Sequence, residues 1–210
     1  MNDRNLLIVV IYLICIIYVF YQVAQSLDKY VGARADQEDI NQAIAKKKLG
    51  DILDLKFALP NMREMENFRD IGIVIENKSP TRSLAINWQQ STLSNLKGKS
   101  QRVIREVPGM KIDLSQPQTF TTVGPSQNVA AKITTETTLK PGANGSLELT
   151  KPLFSSEELK SLPEEGGEFT LNLSIQVSGP GEKAGKGTVH VIPCKFIVSK
   201  TPRTKVAYWQ

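Results

Sequence analysis

The sequence predicts a mainly β protein: a β-sandwich of about 7–9 short strands, preceded by a single N-terminal transmembrane helix and a short helical stalk. Three observations predict it. Residues 6–24 are apolar or aromatic almost without interruption. Residues 26–50 carry acidic residues first and basic residues last, as the two ends of a helix favour. From residue 51 onward, apolar side chains recur at every second position. The predicted domains are an anchor (1–25), a stalk (26–50) and a water-facing sandwich (51–210).

The N-terminal apolar run is long enough, as a sequence, to cross a bilayer. About 19 residues at about 1.5 Å each approach the roughly 30 Å of the hydrocarbon core. The alternative is a cleaved secretory signal, which needs a basic start and a shorter apolar run. A lipoprotein signal at Cys15 fails because Ile14, and not a small residue, precedes the cysteine. We therefore expect an anchor in contact with the lipid bilayer, with Leu6, Ile11, Ile16 and Phe20 among its bilayer residues.

The side of the membrane that the domain faces depends on few charges. Lys and Arg near a first helix set its topology, and Arg4 on one side nearly balances Lys29 and Arg34 on the other. A short N-terminal tail favours translocation of the chain that follows it. The domain is therefore expected outside the cytoplasm, in a periplasm, a lumen or the exterior.

The stalk prediction rests on charge order and on a glycine. Asp36, Glu38 and Asp39 precede the run of lysines at 46–48, and Gly50 is a plausible helix stop. The apolar stripe between them is ragged and brief, so a coiled-coil dimerisation helix stays an alternative.

Alternation of apolar and polar residues predicts strands through the rest of the chain. The clearest strand covers 169–177, and the glycine-rich segment 179–187 leads from it into a second strand over 188–199, which together form a long hairpin. Ser155 and Glu158 have capping-box spacing, which predicts a short helix. Two sheets would bury their alternating faces against each other, with Trp88 in the core. Further strands are predicted at 53–59, 71–77, 84–88, 103–107, 118–123, 129–139 and 146–150.

One segment resembles a known kind of module. The stretch IGIVIENKSPTRSLAINWQQSTLSNLKGKSQRVI resembles the early strands of immunoglobulin-like modules in bacterial envelope proteins, over roughly a sixth of the chain. The paired cysteines of true immunoglobulin domains are missing. The resemblance implies a fold and an envelope setting but no chemistry. The matching positions are Asn77, Ser79, Ile86, Trp88, Ser91, Leu93, Gly98 and Ser100.

The sequence offers little catalytic or metal-binding chemistry. His190 is the only histidine, and Cys194 is four residues further along the same predicted strand. That spacing separates them by about 13 Å, too far for direct activation of the thiol. No zinc, EF-hand or phosphate-loop motif is present. Glu164, Glu165 and Glu168 could form a calcium site, although a solvated loop is the better interpretation. We therefore predict no enzyme activity, no cofactor and no metal site.

Charge and glycosylation patterns add two candidate surface features. The formal net charge of +5 is spread along the chain, which is not typical of a nucleic-acid interface. The exception is the C-terminal tail, whose basic and aromatic residues could contact a partner or anionic headgroups, or could simply end the last strand. The tail residues are Arg203, Lys205, Tyr208 and Trp209. Three sequons stand at Asn77, Asn144 and Asn172.

These features together predict a non-catalytic, membrane-anchored accessory, assembly or scaffold protein that presents its sandwich to a membrane-protein complex or within the cell envelope. Loops at 61–69, 108–117 and 179–187 are the candidate contacts, and strand addition at a sheet edge is a further mode. The alternative is a tethered ligand-binding or sensing module for a glycan or a divalent ion. A hydrolase would require His190 to meet a Ser or Asp in a cleft.

Overall fold

The chain folds mainly into antiparallel strands. The computed structural model describes residues 3–27, 30–109, 112–114, 116–142, 147–163, 165–179 and 187–201. The helices are α1 (Asp3–Leu27), α2 (Gln37–Lys46) and α3 (Ser156–Lys160), with single 3₁₀ turns at Met65–Asn67, Trp88–Gln90 and Glu136–Thr138. The strands are β1 (Tyr30–Ala35), β2 (Leu53–Ala58), β3 (Arg63–Glu64), β4 (Ile71–Asn77), β5 (Ser83–Ile86), β6 (Thr92–Ser94), β7 (Ser100–Glu106), β8 (Thr121–Val123), β9 (Asn128–Thr135), β10 (Leu139–Pro141), β11 (Leu147–Leu149), β12 (Gly167–Ser178) and β13 (Thr188–Lys200).

Eleven of these strands form one sheet, in the order β2-β4-β9-β7-β6-β12-β13-β1-β3, with β5 paired to β12 and β8 paired to β5. Strands β10 and β11 form a separate ribbon. The longest pairing joins β12 to β13, from Gly167 opposite Val198 to Val177 opposite Thr188. The predicted long hairpin is therefore confirmed.

The predicted immunoglobulin-like sandwich of two sheets is wrong, because β7 joins both halves of a single curled sheet. Arg102 is the last residue of β7 to pair with β6, opposite Thr92, and Val103 is the first to pair with β9, opposite Thr135. We call β2, β4 and β9 the first limb, and β12, β13, β1 and their neighbours the second limb. Alternation along a strand reveals which residues share a face but not which strands pair. The resemblance is thus supported only at the coarser level of a mostly antiparallel β fold.

The core lies inside the curl, where the two limbs face each other. Phe57 on β2 meets Phe196 on β13 edge-on, with ring centroids 4.8 Å apart. Phe196 stacks on Phe169 of β12 at 4.9 Å, and Phe169 contacts Phe154 at 4.9 Å. Aromatic pairs at these separations contribute roughly 0.5–1.5 kcal/mol beyond their buried area. This row of rings therefore joins the two limbs across the middle of the fold.

Trp88 is buried, as the sequence predicted. Its side chain is 0% exposed, and its Nε1 donates to Thr121 Oγ1 at 2.8 Å. A buried indole N–H needs such an acceptor, since an unpaired one costs about 1–3 kcal/mol. The residue stands on a 3₁₀ turn directly after β5 and not within the strand.

The predicted helical stalk is also wrong, because residues 30–46 are built into the sheet. Strand β1 pairs with the end of β13. Helix α2 then bridges the limbs: the Asp36 N–H donates to Lys195 O at 2.9 Å, and Gln37 Nε2 donates to Leu55 O at 3.1 Å. Its apolar side, Ile40 and Ile44, is buried in the core. A helix that covers strand edges protects them from pairing with other chains.

Helix α1 corrects the membrane prediction. The described side chains of this helix cover 7–22 and are nearly all exposed. Over the part of the chain that the structure describes, no helix combines the length and the hydropathy that a membrane crossing needs. On this finding the predicted single-pass anchor, with Ile11, Ile16 and Phe20, is wrong, and so is the membrane localisation derived from it; the Leu6 side chain lies outside the described residues.

If α2 is part of the folded core, truncating its buried side should be costly. We expect Ile40→Ala to lower the free energy of unfolding by about 2–4 kcal/mol, because it leaves a cavity between the limbs. The exposed neighbour Asn41→Ala is the control and should change stability by less than about 1 kcal/mol. Urea denaturation of both variants measures the difference. Equal values for the two would mean that α2 is not packed as described.

Candidate functional site

A basic pocket opens at one end of the curled sheet. Its volume is about 410 Å³, and the basic side chains of Lys47, Lys48 and Arg82 line it together with His190. Pockets at the mouths of curled β structures are common ligand sites, because the inner faces of several strands converge there. We call these four residues and the space between them the basic pocket.

The end of α2 places the two lysines. The Lys47 N–H closes the last helical turn on Ile44 O at 3.2 Å, and Lys48 then takes a left-handed conformation with φ 58°. Non-glycine residues adopt this conformation at a cost of roughly 1–2 kcal/mol. Leu49 is buried directly afterwards and fixes the turn against the core. Both lysine side chains are exposed, so the turn holds two cations at the rim.

The hairpin supplies the inner wall. His190 lies opposite Ile175 in the β12–β13 register, and Thr188 lies opposite Val177. Side chains alternate along a strand, so His190 shares the inner face of β13 with the buried Ile192 and Cys194. The imidazole is half-buried at the point where this inner face reaches the open end. It is therefore a pocket residue and not simply a surface residue of an edge strand.

The pocket has an unbalanced positive charge. No carboxylate lines its described part, and none of the described ion pairs involves Lys47, Lys48 or Arg82. Cations that share a concave surface reinforce one another's potential, which attracts anions and raises their association rates. The aliphatic side chains of Leu49 and Val177 also line the pocket but are buried in the core. The arrangement can bind an anionic group through its charged rim.

The structure does not assemble a nucleophile around His190. Cys194 is absent from the described lining of the pocket, and its thiol is fully buried, with Sγ 3.8 Å from Ile192 O. Burial, with a smaller effect from the negative charge of Asp39, raises the pKa of the Cys194 thiol to about 12. Thiolate is the reactive form of cysteine, so this side chain is chemically inert at neutral pH.

The acidic residues near β12 do not converge on a metal. Glu168 forms an ion pair with Lys195 at 2.7 Å, and Glu164 lies outside the described residues. Throughout the described part of the chain, no three His, Cys, Asp or Glu side chains come close enough to hold a metal ion together.

The structure describes two of the three sequon asparagines, Asn77 and Asn172. Asn77 is buried, and its Nδ2 donates to the carbonyls of Arg82 at 2.7 Å and Gly124 at 2.9 Å. It is therefore a structural residue and inaccessible to a glycosyl transferase in the folded protein. Asn172 is half-buried and lies 3.5 Å from Thr92 Oγ1. The tail residues Arg203, Lys205, Tyr208 and Trp209, the sequon at Asn144 and positions 180–186 of the glycine-rich loop lie outside the described residues.

From the sequence, the lysine run at 46–48 was assigned to a stalk and not to a pocket. Arg82 belongs to no motif that would indicate a binding site. His190 lies more than a hundred positions from the lysines and from Arg82 along the chain, so no local pattern connects them. Comparison with protein-family models and with curated proteins found no match to this chain.

The buried thiol predicts a specific dependence of stability on pH. Folding raises the pKa of Cys194 from its ordinary 9.0 to about 12, so the native state holds this proton more tightly than the unfolded chain. The stabilisation is complete below about pH 9 and is lost as the pH rises toward 12. Relative to Cys194→Ala, the free energy of unfolding should fall by about 1.4 kcal/mol per pH unit in this window.

Urea denaturation of the native protein and of Cys194→Ala between pH 8 and 11 measures this slope. Lysine and tyrosine titrations are common to both proteins and cancel in the difference. The exposed Cys15 is an internal control: a thiol reagent should label it in the native protein and label Cys194 only after unfolding. Parallel pH profiles for the two proteins would contradict the buried environment of Cys194.

Proposed function

We propose that this protein is a non-catalytic binding domain, an accessory or scaffold component that contacts an acidic segment of a partner protein through the basic pocket. One observation carries the proposal: Lys47, Lys48, Arg82 and His190 surround a single opening whose described lining contains no carboxylate. Such a surface selects negative charge and repels cationic partners.

The composition of the pocket favours a polypeptide over other anions. Nucleic-acid sites usually add aromatic side chains on which bases stack, and the described lining contains none. The aliphatic residues of the described lining, Leu49 and Val177, are buried, so a ligand meets mainly the charged groups of the rim, which suits the side-chain carboxylates of an acidic segment. A divalent cation is disfavoured by the same charges that favour a carboxylate.

The pocket is also positioned for recognition and not for chemistry. Its wall is the long β12–β13 hairpin. The two rim lysines directly follow a core-packed helix, and the buried Leu49 fixes their turn. A fixed backbone at the rim reduces the ordering cost of binding. The Cys194 thiol is buried and protonated and is not part of the described lining of the pocket.

Charge reversal at the rim should abolish binding of an acidic probe. We expect the full chain to bind a short fluorescein-labelled polyglutamate peptide, with affinity that falls as salt rises. Replacing Lys47 and Lys48 together by Glu should weaken binding by about tenfold or more, since it turns two attractions into repulsions. Fluorescence anisotropy at two salt concentrations measures both effects.

The matched control reverses the charge of another exposed lysine pair, Lys97 and Lys99, in the turn between β6 and β7. It changes the net charge equally and should reduce binding by less than about threefold. Equal losses for the two double variants would mean that net charge alone attracts the probe, which would overturn the proposal. Binding of a single-stranded oligonucleotide as tight as that of the peptide would overturn it as well.

A further inference from the structure

A second groove, distant in sequence from the basic pocket, lies beside β7. Its volume is about 180 Å³. Arg102 and Arg105 lie on one wall, and the segment around Gln118 forms the other. We call this the arginine groove.

The corner of the sheet brings the two arginines together. Residues three apart on a regular strand point to opposite faces. Here Val103 and Ile104 are both buried, at the point where β7 exchanges β6 for β9 as its partner. Two consecutive buried residues break the alternation, as they do at a bulge. Arg102 and Arg105 therefore line the same groove.

Gln118 closes the strand edge beside them. Its side-chain Oε1 accepts a hydrogen bond from the backbone N–H of Arg105 at 2.8 Å, and its Nε2 donates to the backbone carbonyl of Val103 at 2.6 Å. The side-chain amide thus continues the ladder on β7 after β6 has ended. Because both of its polar atoms bond the backbone, Gln118 serves as a wall of the groove and leaves recognition to the arginines.

Hydrogen bonds to neighbouring side chains position the two guanidinium groups but use only some of their N–H donors. Arg102 donates to Glu136 Oε1 at 3.3 Å and to Gln89 Oε1 at 2.9 Å, and its buried Nε has no acceptor within the described part of the chain. Arg105 Nη1 donates to Thr121 Oγ1 at 2.5 Å. A guanidinium carries five N–H donors, and no described carboxylate forms an ion pair with Arg105.

Much of the remaining described lining of the groove is aliphatic: it includes Ile104, Val107, Ile112, Leu114 and Pro117. Of the described lining residues one is a carboxylate, Asp113, which has an interaction of its own, so the local charge is smaller than in the basic pocket. A ligand that matches this surface has one planar anionic group for the arginine fork and a short apolar body for the aliphatic wall.

We propose that the arginine groove binds a small aliphatic carboxylate, with the carboxylate on the Arg105 guanidinium and the hydrocarbon chain against Val107 and Leu114. This site is independent of the basic pocket and of the proposed partner contact. It would give the domain a small-molecule ligand of the class of short-chain organic acids.

Trp88 provides a built-in reporter. The hydroxyl oxygen of Thr121 accepts hydrogen bonds from both Trp88 Nε1 and Arg105 Nη1. A carboxylate that draws Arg105 toward the groove will change the surroundings of the indole. The sequence contains two tryptophans, so Trp209→Phe leaves Trp88 as the sole source of tryptophan fluorescence.

The experiment titrates full-length Trp209→Phe with hexanoate and follows tryptophan emission, with the thermal midpoint as a second readout because a ligand of the native state raises it. We expect a saturable change with hexanoate. Hexan-1-ol, which lacks the charge, and inorganic phosphate, which lacks the chain, should have little effect. Arg105→Gln should weaken hexanoate binding by about tenfold or more, and Arg105→Lys by less, since a lysine keeps the charge but loses the fork.

Arg34→Gln is the matched control, an exposed arginine on β1 outside both sites, and should bind hexanoate as the parent does. The ligand-free thermal midpoint and the far-ultraviolet circular dichroism of each variant check its fold, and Arg105→Lys carries the test if Arg105→Gln is destabilised. The proposal is overturned by the absence of a saturable hexanoate signal, by equal effects of hexan-1-ol or phosphate, or by equal affinity losses in Arg105→Gln and Arg34→Gln. Because the basic pocket is unaltered in these variants, failure here leaves the polyglutamate result intact.

Discussion

The structure depends on the closure of a single curled sheet. One sheet that bends at β7 brings its two limbs face to face, and the row of rings from Phe57 through Phe196 and Phe169 fills the space between them. The curl does not close by strand pairing, since β2 and β13 do not bond each other in the described sheet. Helix α2 closes the gap, with a backbone hydrogen bond to β13 and a side-chain hydrogen bond to β2. Because a helix closes the gap, no additional strand is needed there, and α2 covers the facing edges of β2 and β13.

Both binding sites that we propose arise from this way of closing. The basic pocket lies where α2 ends, because the left-handed turn at Lys48 projects the lysines over the open end of the curl. The arginine groove lies at an irregularity within a strand. At this corner β7 changes its pairing partner from β6 to β9, and the alternation of its side chains breaks. The inner faces of the regular strands are buried in the core. Both proposed sites therefore lie where the regular pattern stops.

Several individual features could be predicted from sequence because their causes are local. The hairpin of β12 and β13 follows from alternating apolar residues and a glycine-rich turn, and the capping box at Ser155 follows from the spacing of a serine and a glutamate. The burial of Trp88 follows from its size and apolar character. The stalk prediction failed for a physical reason. Ile40 and Ile44 form an apolar stripe that is too short to predict packing of the helix between the two limbs of the sheet, so the order of the charged residues determined the interpretation. The anchor prediction rested on hydropathy over the whole run, and no helix in the described part of the chain combines the length and the hydropathy of a membrane span.

By itself, the sequence determined the secondary-structure class and the inner and outer faces of the strands, and it contained few motifs typical of catalysis. These features can be recognised from sequence because periodicity and residue type act over a few positions. Only the tertiary structure decided that there is one curled sheet in place of two, since strand pairing joins residues that are far apart in the chain and alternation does not encode the partner. For the same reason only the tertiary structure brought Arg82 and His190 to the lysines at 47 and 48, and Arg105 to Thr121 and Trp88. Long-range closure is what converts scattered basic residues into sites.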